Sequence, residues 1–469
     1  MQLKKSLHAK KPTPVKKPLQ GKKPLHVKKP KSISGALATA TCALLGTHLP
    51  HPAAASEPFK NWEYDSALLY YSEQDRVTAV EPVISARNDM GNDQFLNFKF
   101  VVDALSGASA NGAVPADKTQ TFSGPSGQKS YSVAPNETPL DPTFEDTRFA
   151  ANVLWEKPTS RYLKALLGAN FSTETDYTSL GVSATFTYDA NNKNTTLSAG
   201  ASFSHDTVSP IGGAPDPFTE VPTSSTSGGE NEGDDDGEGG EGEGGETKNV
   251  TDLLFGVTQV LSRHTLTQFN YSIGQSSGYL TDPYKLLTVV DPVTGDLVPA
   301  VDPNNTYRYL HERRPDSRTR QSVYWKTNHQ FTDDVVYLTY RYYWDDWDVK
   351  SHTVDLRYRY ELGRHHYLQP HARYYQQTAA NFYRYYLVDG EPLPQYASAD
   401  YRLGDMTTTT FGLLYGAELG KNSEFTFRAE YMKQSNQGYP ADAIGKLRDY
   451  NLSPDVKAII LQASYNVKF

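Results

Sequence analysis

The first hint of chemistry is a set of charged side chains spaced two apart along the C-terminal half of the chain. Arg341, Arg357, Arg359, Arg373 and Arg428 recur in phase with Asp355, Glu361 and Glu430. Successive side chains of an extended strand point to opposite faces, so each such set shares one face. Opposed charges across a water-filled lumen would create a transverse field that orients polar solutes. The plainer account is ion pairing between neighbouring strands that merely solvates an inner wall. The two are compatible, and no single residue stands out as selective.

Other constellations carry less. His365, His366 and His371 invite a metal reading, yet two lie at an expected turn, the third lies half a strand away, and no fourth ligand is visible. Nine acidic residues fall between Glu230 and Glu246 without the fixed ligand spacing of a calcium loop, which reads as a solvated surface loop. Asp345-Asp346-Trp347-Asp348 reads as a tight acidic hairpin tip. Asp, His and Ser are all present, but no G-x-S-x-G nucleophile motif occurs, and the expectation is that the chain is not an enzyme and needs no cofactor.

The elements that must position these charges are strands. Ile459, Leu461, Ala463, Tyr465, Val467 and Phe469 alternate with Ile460, Gln462, Ser464, Asn466 and Lys468, a strand with one apolar and one mostly polar face. Its ending in Tyr465, Val467 and Phe469 is similar to the signal by which outer-membrane barrels are handed to their assembly machinery. The same alternation recurs in about sixteen segments, beginning near Glu63, Val77, Gln94, Thr147, Arg161, Tyr177, Thr195, Val250, Thr265, Arg318, Val335, Thr353, Tyr367, Thr408, Glu424 and Val456. Every second connection is short (88–93, 157–160, 190–194, 262–264, 332–334, 363–365 and 420–423). All long insertions (105–146, 207–248, 276–316, 379–402 and 437–454) belong to the other set. Transmembrane barrels have short periplasmic turns and longer extracellular loops. The expected fold is therefore an all-β, single antiparallel transmembrane barrel of about 16 strands over 56–469, with both of its ends periplasmic.

Residues 1–55 read as a signal peptide with an extended lysine-rich n-region. Lys-Lys pairs recur every six residues, a weakly apolar run spans 33–49, and Ala53-Ala54-Ala55 places cleavage after Ala55. A disordered nucleic-acid-binding tail is the alternative for the lysine-proline repeats. The apolar run and alanine site favour export, and nothing downstream reads as a nucleic-acid module. Removing the eleven lysines of this leader leaves 35 basic against 54 acidic residues, a net charge of −19. Cys42, the sole cysteine, falls within the apolar run, so the exported chain would have no disulfide, thiolate metal site or cysteine-ligated haem. No stretch beyond residue 55 approaches 18 consecutive apolar residues, which excludes a spanning helix but not a barrel apolar on one side only. Residues 220–248, almost wholly Gly, Ser, Asp, Glu and Asn over their central part, are expected to be disordered.

Several strings resemble the bacterial domain of unknown function 3570 family. They include Gly278-Tyr279-Leu280-Thr281-Asp282-Pro283-Tyr284-Lys285, Arg314-Pro315-Asp316-Ser317-Arg318-Thr319-Arg320 and Tyr396-Ala397-Ser398-Ala399-Asp400-Tyr401-Arg402. Residues 102–113, 137–141, 194–200 and 351–355 carry it further. The resemblance covers nearly all of the chain beyond the leader and implies a Gram-negative outer-membrane barrel of unassigned activity. Family members are said to occur near redox and flavin-transfer genes, which implies an electron-transfer context. Residues 105–113 are small and Gly/Ala/Ser-rich, as a segment packed against other backbone would be, and a loop there is expected to fold inward and constrict the lumen.

The leading functional expectation is a porin-like channel for small polar solutes or ions. The alternative is a structural sleeve for a periplasmic or extracellular protein partner, any electron carrier being supplied in trans. An outer-membrane enzyme comes third. The expected partners are outer-membrane lipid and the barrel-assembly machinery, with no nucleic acid.

Overall fold

The period-two alternation closes on itself. The computed structural model describes residues 61–123, 130–210, 212–221, 245–303 and 305–469. The leader expected over 1–55, with Ala55, lies outside them, as do residues 222–244 of the acidic loop.

In chain order the strands are β1 (Trp62–Glu73), β2 (Thr78–Gly91), β3 (Gln94–Ala110), β4 (Gln120–Ser123), β5 (Ser130–Val133), β6 (Leu140–Pro158) and β7 (Leu163–Thr173). Next come β8 (Tyr177–Ala190), β9 (Thr195–Val208), β10 (Glu246–Ser262), β11 (Thr265–Gly278), β12 (Leu286–Val290), β13 (Tyr309–His311) and β14 (Ser317–Gln330). The last are β15 (Val335–Asp345), β16 (Lys350–Glu361), β17 (His366–Gln377), β18 (Leu387–Val388), β19 (Met406–Gly420), β20 (Ser423–Asn436) and β21 (Val456–Lys468). All but β4, β5, β12, β13 and β18 form one closed, sixteen-stranded antiparallel barrel, sealed where β21 pairs with β1.

Connection lengths sort by end. At the turn end, two to four residues join β2 to β3, β6 to β7, β8 to β9 and each later pair. Every long connection (111–139, 209–245, 279–316, 378–405 and 437–455) lies at the opposite, loop end. The outer surface is apolar: Phe100, Phe149, Leu180, Val182 and Phe411 are each more than half exposed. Such a belt faces lipid in a membrane-spanning barrel, where closure also leaves no unpaired strand edge.

One expected boundary moves. β6 begins at Leu140, well before Thr147, because β3 and β6 stay paired up to Ala110↔Leu140. Residues 105–110 are therefore strand and not an inward-folding loop. Their small size serves close packing instead. Gly107 has φ +135°, and a Cβ there would strike the carbonyl of Arg76 in the β1–β2 turn.

The described parts of the long connections fold together into a cap with its own core. β12 pairs with β13 and, in parallel, with β18, while β4 and β5 form a hairpin. Phe122, Tyr131, Leu286 and Tyr309 make one buried cluster, and Leu287, Val289, Leu310 and Leu387 another. The segment after β3 joins in, Leu286 N–H donating to the Asn111 carbonyl at 2.8 Å. The cap is seated in the loop-end mouth. Gln377, on the inner face of β17, donates its amide to the carbonyls of Arg402 and Gly404. Val456 and Ala458, on the inner face of β21, are fully covered.

Candidate functional site

Register decides which charges share the lumen. Across β15, β16 and β17, Thr339 stands opposite Asp355 and Asp355 opposite Arg373. Val354, Leu356 and Tyr360 point to the exposed outer face, so Asp355, Arg357, Arg359, Glu361 and Arg373 face inward. Arg341 pairs across with Thr353 and joins them. On β20, Phe427 and Tyr431 are outward and exposed, leaving Arg428 and Glu430 inside. All eight expected residues thus stand on one side of the wall.

Most of them are paired. Arg357 Nε lies 3.2 Å from Asp355, Arg359 Nε lies 2.6 Å from Glu361, and Arg428 Nε lies 3.7 Å from Glu430. Arg359 also stacks over the Tyr367 ring at 3.7 Å. The centre of the cluster is His371. Its Nε2 lies 2.7 Å from Asp355 Oδ2 and its Nδ1 lies 2.8 Å from Glu430 Oε1. Gly412 makes this possible, because the row runs Arg357, His371, Gly412, Glu430, and a Cβ on Gly412 would strike Glu430 Cγ. His371 was visible on the polar phase of its strand. Its role was not, because that depends on register across four strands.

The other two histidines do not converge with it. His365 pairs with Glu418 at 3.3 Å at a turn, and His366 bonds the Tyr415 hydroxyl on the outer face.

The inner wall is polarised. β14 to β17 present Arg318, Arg320, Lys326, Arg341, Arg357, Arg359 and Arg373 against Asp345, Asp355 and Glu361. β2 and β3 stand eight places from β14 and β15 around the ring. There, with β1 and β6, Glu63, Asp65, Glu81, Asp103 and Glu156 outnumber Arg87, Lys99 and Arg148. Between the walls, β7 to β10 turn Gly168, Gly181, Ser183, Gly200 and Ser202 inward, short side chains that leave that flank open. A recess of about 260 Å³ lies on the inner wall near the turn end, against Asp65, Glu424 and Asn466.

The strings singled out in the sequence meet in the cap as a buried ionic lattice. Arg314 lies 2.6 Å from Glu312 and 2.9 Å from Asp400, and Arg402 lies 2.6 Å from Asp400 and 2.7 Å from Asp282. Ser398 donates to Glu312, and Lys285 donates to the Ala110 carbonyl at 2.5 Å. The lattice ties the 279–316 and 378–405 loops to each other and to the end of β3. The acidic hairpin tip is structural too. Asp345 Oδ1 accepts the Trp347 and Val349 N–H groups at 3.0 Å, and buried Trp347 lies between the Arg318 guanidinium and the edge of Phe382.

Tyr465, Val467 and Phe469 lie on the outer face of the closing strand. Val467 stands opposite Tyr64, and Phe469 meets the Tyr64 ring edge-on at 5.9 Å while its N–H bonds the Trp62 carbonyl.

Fold and wall together define a transmembrane β-barrel with an ion-paired, polarised lumen and a packed cap at one mouth. The chain belongs to the family described as protein of unknown function DUF3570, which matches residues 34–467. The match takes in part of the expected leader and runs across the acidic loop. No protein of curated function matches. Among solved structures the chain is similar to the P. putida toluene transporter TodX, at 10% identity and TM-score 0.37 over 92% of each chain. It is also similar to the CymD monoaromatic hydrocarbon channel, at 10% identity and TM-score 0.38 over 87% of this chain and 89% of that one. A loop-deletion variant of OmpT from Vibrio cholerae, at 8% identity and TM-score 0.37, covers 86% of this chain and 98% of its own. Likenesses this faint carry nothing about what passes through the barrel.

Proposed function

We propose that the protein is a porin-like channel for small polar solutes or ions, set in the bacterial outer membrane with its short turns and both barrel ends on the periplasmic side. The carrying observation is the inversion of polarity across one wall. Phe411 and Leu413 face outward beside Gly412, while Arg357, His371 and Glu430 face inward in the same neighbourhood. At sixteen strands, side chains do not fill the interior, so a charged inner face implies water.

The cap favours a second reading at the loop end. A buried core seated in the mouth narrows access there, and a barrel closed by it would serve as a sleeve for a protein partner. Single-channel recording on the purified full-length protein in a planar bilayer separates the two. Discrete, reproducible steps are expected. A folded, heat-modifiable barrel that stays silent would refute the channel and direct attention to co-purifying partners.

A further inference from the structure

We propose that the wall formed by β14 to β17 carries a binding site for small oxyanions (carboxylates or phosphates) centred on Lys326, Arg341 and Arg373. The site rests on the channel reading for how solute reaches it, and deepens that reading by naming a solute class. Its basis is an imbalance of partners. Asp355 lies in the same row as Lys326 and Arg373, the row running Lys326, Thr339, Asp355, Arg373. The Asp355 oxygens are already taken by His371 and Arg357. Glu361 is held by Arg359, and Asp345 by Arg318 and its own hairpin. The carboxylates of the wall are engaged, whereas Lys326, Arg341 and Arg373 make no ion pair within 4 Å among the described residues, and both arginines are exposed to the lumen.

The geometry suits an oxyanion better than a halide. Strands stand about 4.8 Å apart, so Lys326 on β14 and Arg373 on β17 are separated by roughly 14 Å at the backbone. Arg341 stands on β15 two residues nearer the loop end than that row, opposite Tyr324 and Thr353, with its guanidinium 5.9 Å from the centre of the Tyr343 ring. The three cations share one stretch of inner wall, and guanidinium forks match paired oxygens in a way a lone ammonium does not. Tyr324, directly across from Arg341, and Thr339, between Lys326 and Asp355, place hydroxyl donors beside the cations. The acidic wall on the opposite side repels anions towards this face.

The test uses the full-length protein in planar bilayers in potassium chloride, with inorganic phosphate as the probe and ionic strength held constant. Phosphate is expected to interrupt the current saturably. R341Q/R373Q should raise the half-saturating concentration at least tenfold while migrating on gels as a folded barrel, and K326Q alone should give a smaller rise should the double variant not fold. Equal interruption in all forms, or none in a conducting pore, would overturn the oxyanion site and leave the channel reading intact. For a barrel that does not conduct, equilibrium dialysis of labelled phosphate decides. Saturable binding lost in R341Q/R373Q supports the site while the channel reading falls, and the absence of saturable binding overturns the site.

Discussion

His371 and Asp355 stand on neighbouring strands with Nε2 and Oδ2 2.7 Å apart, and the far side of the same ring reaches Glu430 at 2.8 Å. One imidazole thus links β16 to β20 across the two strands between. Removing it leaves two largely covered carboxylates with less compensation. His371→Ala should destabilise the barrel by about 2–4 kcal/mol, seen as a lower temperature for conversion of the folded to the unfolded gel band. It should also shift the reversal potential in a salt gradient towards cations. An unchanged conversion temperature and an unchanged potential would show that the ring is a bystander.

Gly412 lets His371 meet Glu430, and any larger side chain must displace the glutamate. Gly412→Val is expected to cost about 1–3 kcal/mol through overpacking and to reproduce the selectivity change of His371→Ala. A variant as stable and as selective as the wild type would mean that Glu430 has room to move.

Trp347 tests whether the cap is a separate cooperative unit. It is 4% exposed, packed between Arg318 and Phe382. Trp347→Ala should remove about 3–5 kcal/mol of local stability. Limited proteolysis within 378–405 should accelerate while the barrel keeps its folded migration. Loss of both together would show that cap and barrel unfold as one.

Acid should loosen the cap before the barrel. Burial raises the carboxyl of Asp400, but the charges of Arg402 and then Arg314 outweigh it and hold that carboxyl well below the ordinary range. Asp282 follows, burial being outweighed by Lys285 and Arg402. A carboxyl depressed in the folded state stabilises it above the unfolded value, about 4, and that contribution fades as pH falls towards the folded value. Glu312 has the opposite sign: burial raises it, so its contribution is present at low pH and lost as pH rises through its folded value. The two depressed aspartates set the acid limb. Protease resistance of the cap should hold from neutral pH to about 4 and decline below it, and Asp400→Asn should be weaker at neutral pH with a flatter acid response.

Sidedness is read with epitopes. A tag between Ser227 and Gly228 should be reached by antibody on intact cells, and one between Lys421 and Asn422 only after permeabilisation. The reverse pattern would invert the proposed orientation.

The barrel was legible in the sequence because its information is local. Alternation at Val354, Leu356 and Tyr360 needs no partner to be seen, and neither does the sorting of long and short connections. The inward set from Arg341 to Glu430 follows from the same period. What was not legible depends on long-range pairing. The bonds from Glu312 to Ser398 and from Arg402 to Asp282 join segments with no periodicity of their own. The β3–β6 extension was missed because small residues such as Gly107 and Ser109 read as loop when their partner strand is unknown.

Lys446 bridges Asp117 and Asp296, drawing together segments from three widely separated parts of the chain. Contacts of such sequence separation carry a high loop-closure cost. Asp117 follows β3 and Lys446 precedes β21, and in the same place Ala443 and Leu447 of that last loop pack with Val114 and Val290 in one buried apolar cluster. Without that loop in place Val114 and Val290 would lose their cover, while the clusters around Phe122 and Leu287, built from other segments, would keep theirs. The cap is therefore also a clasp: one lysine and one small apolar cluster fasten the loop before the last strand to the loop after the third, so the two ends of the rolled sheet are held together above the wall as well as along the β1–β21 seam.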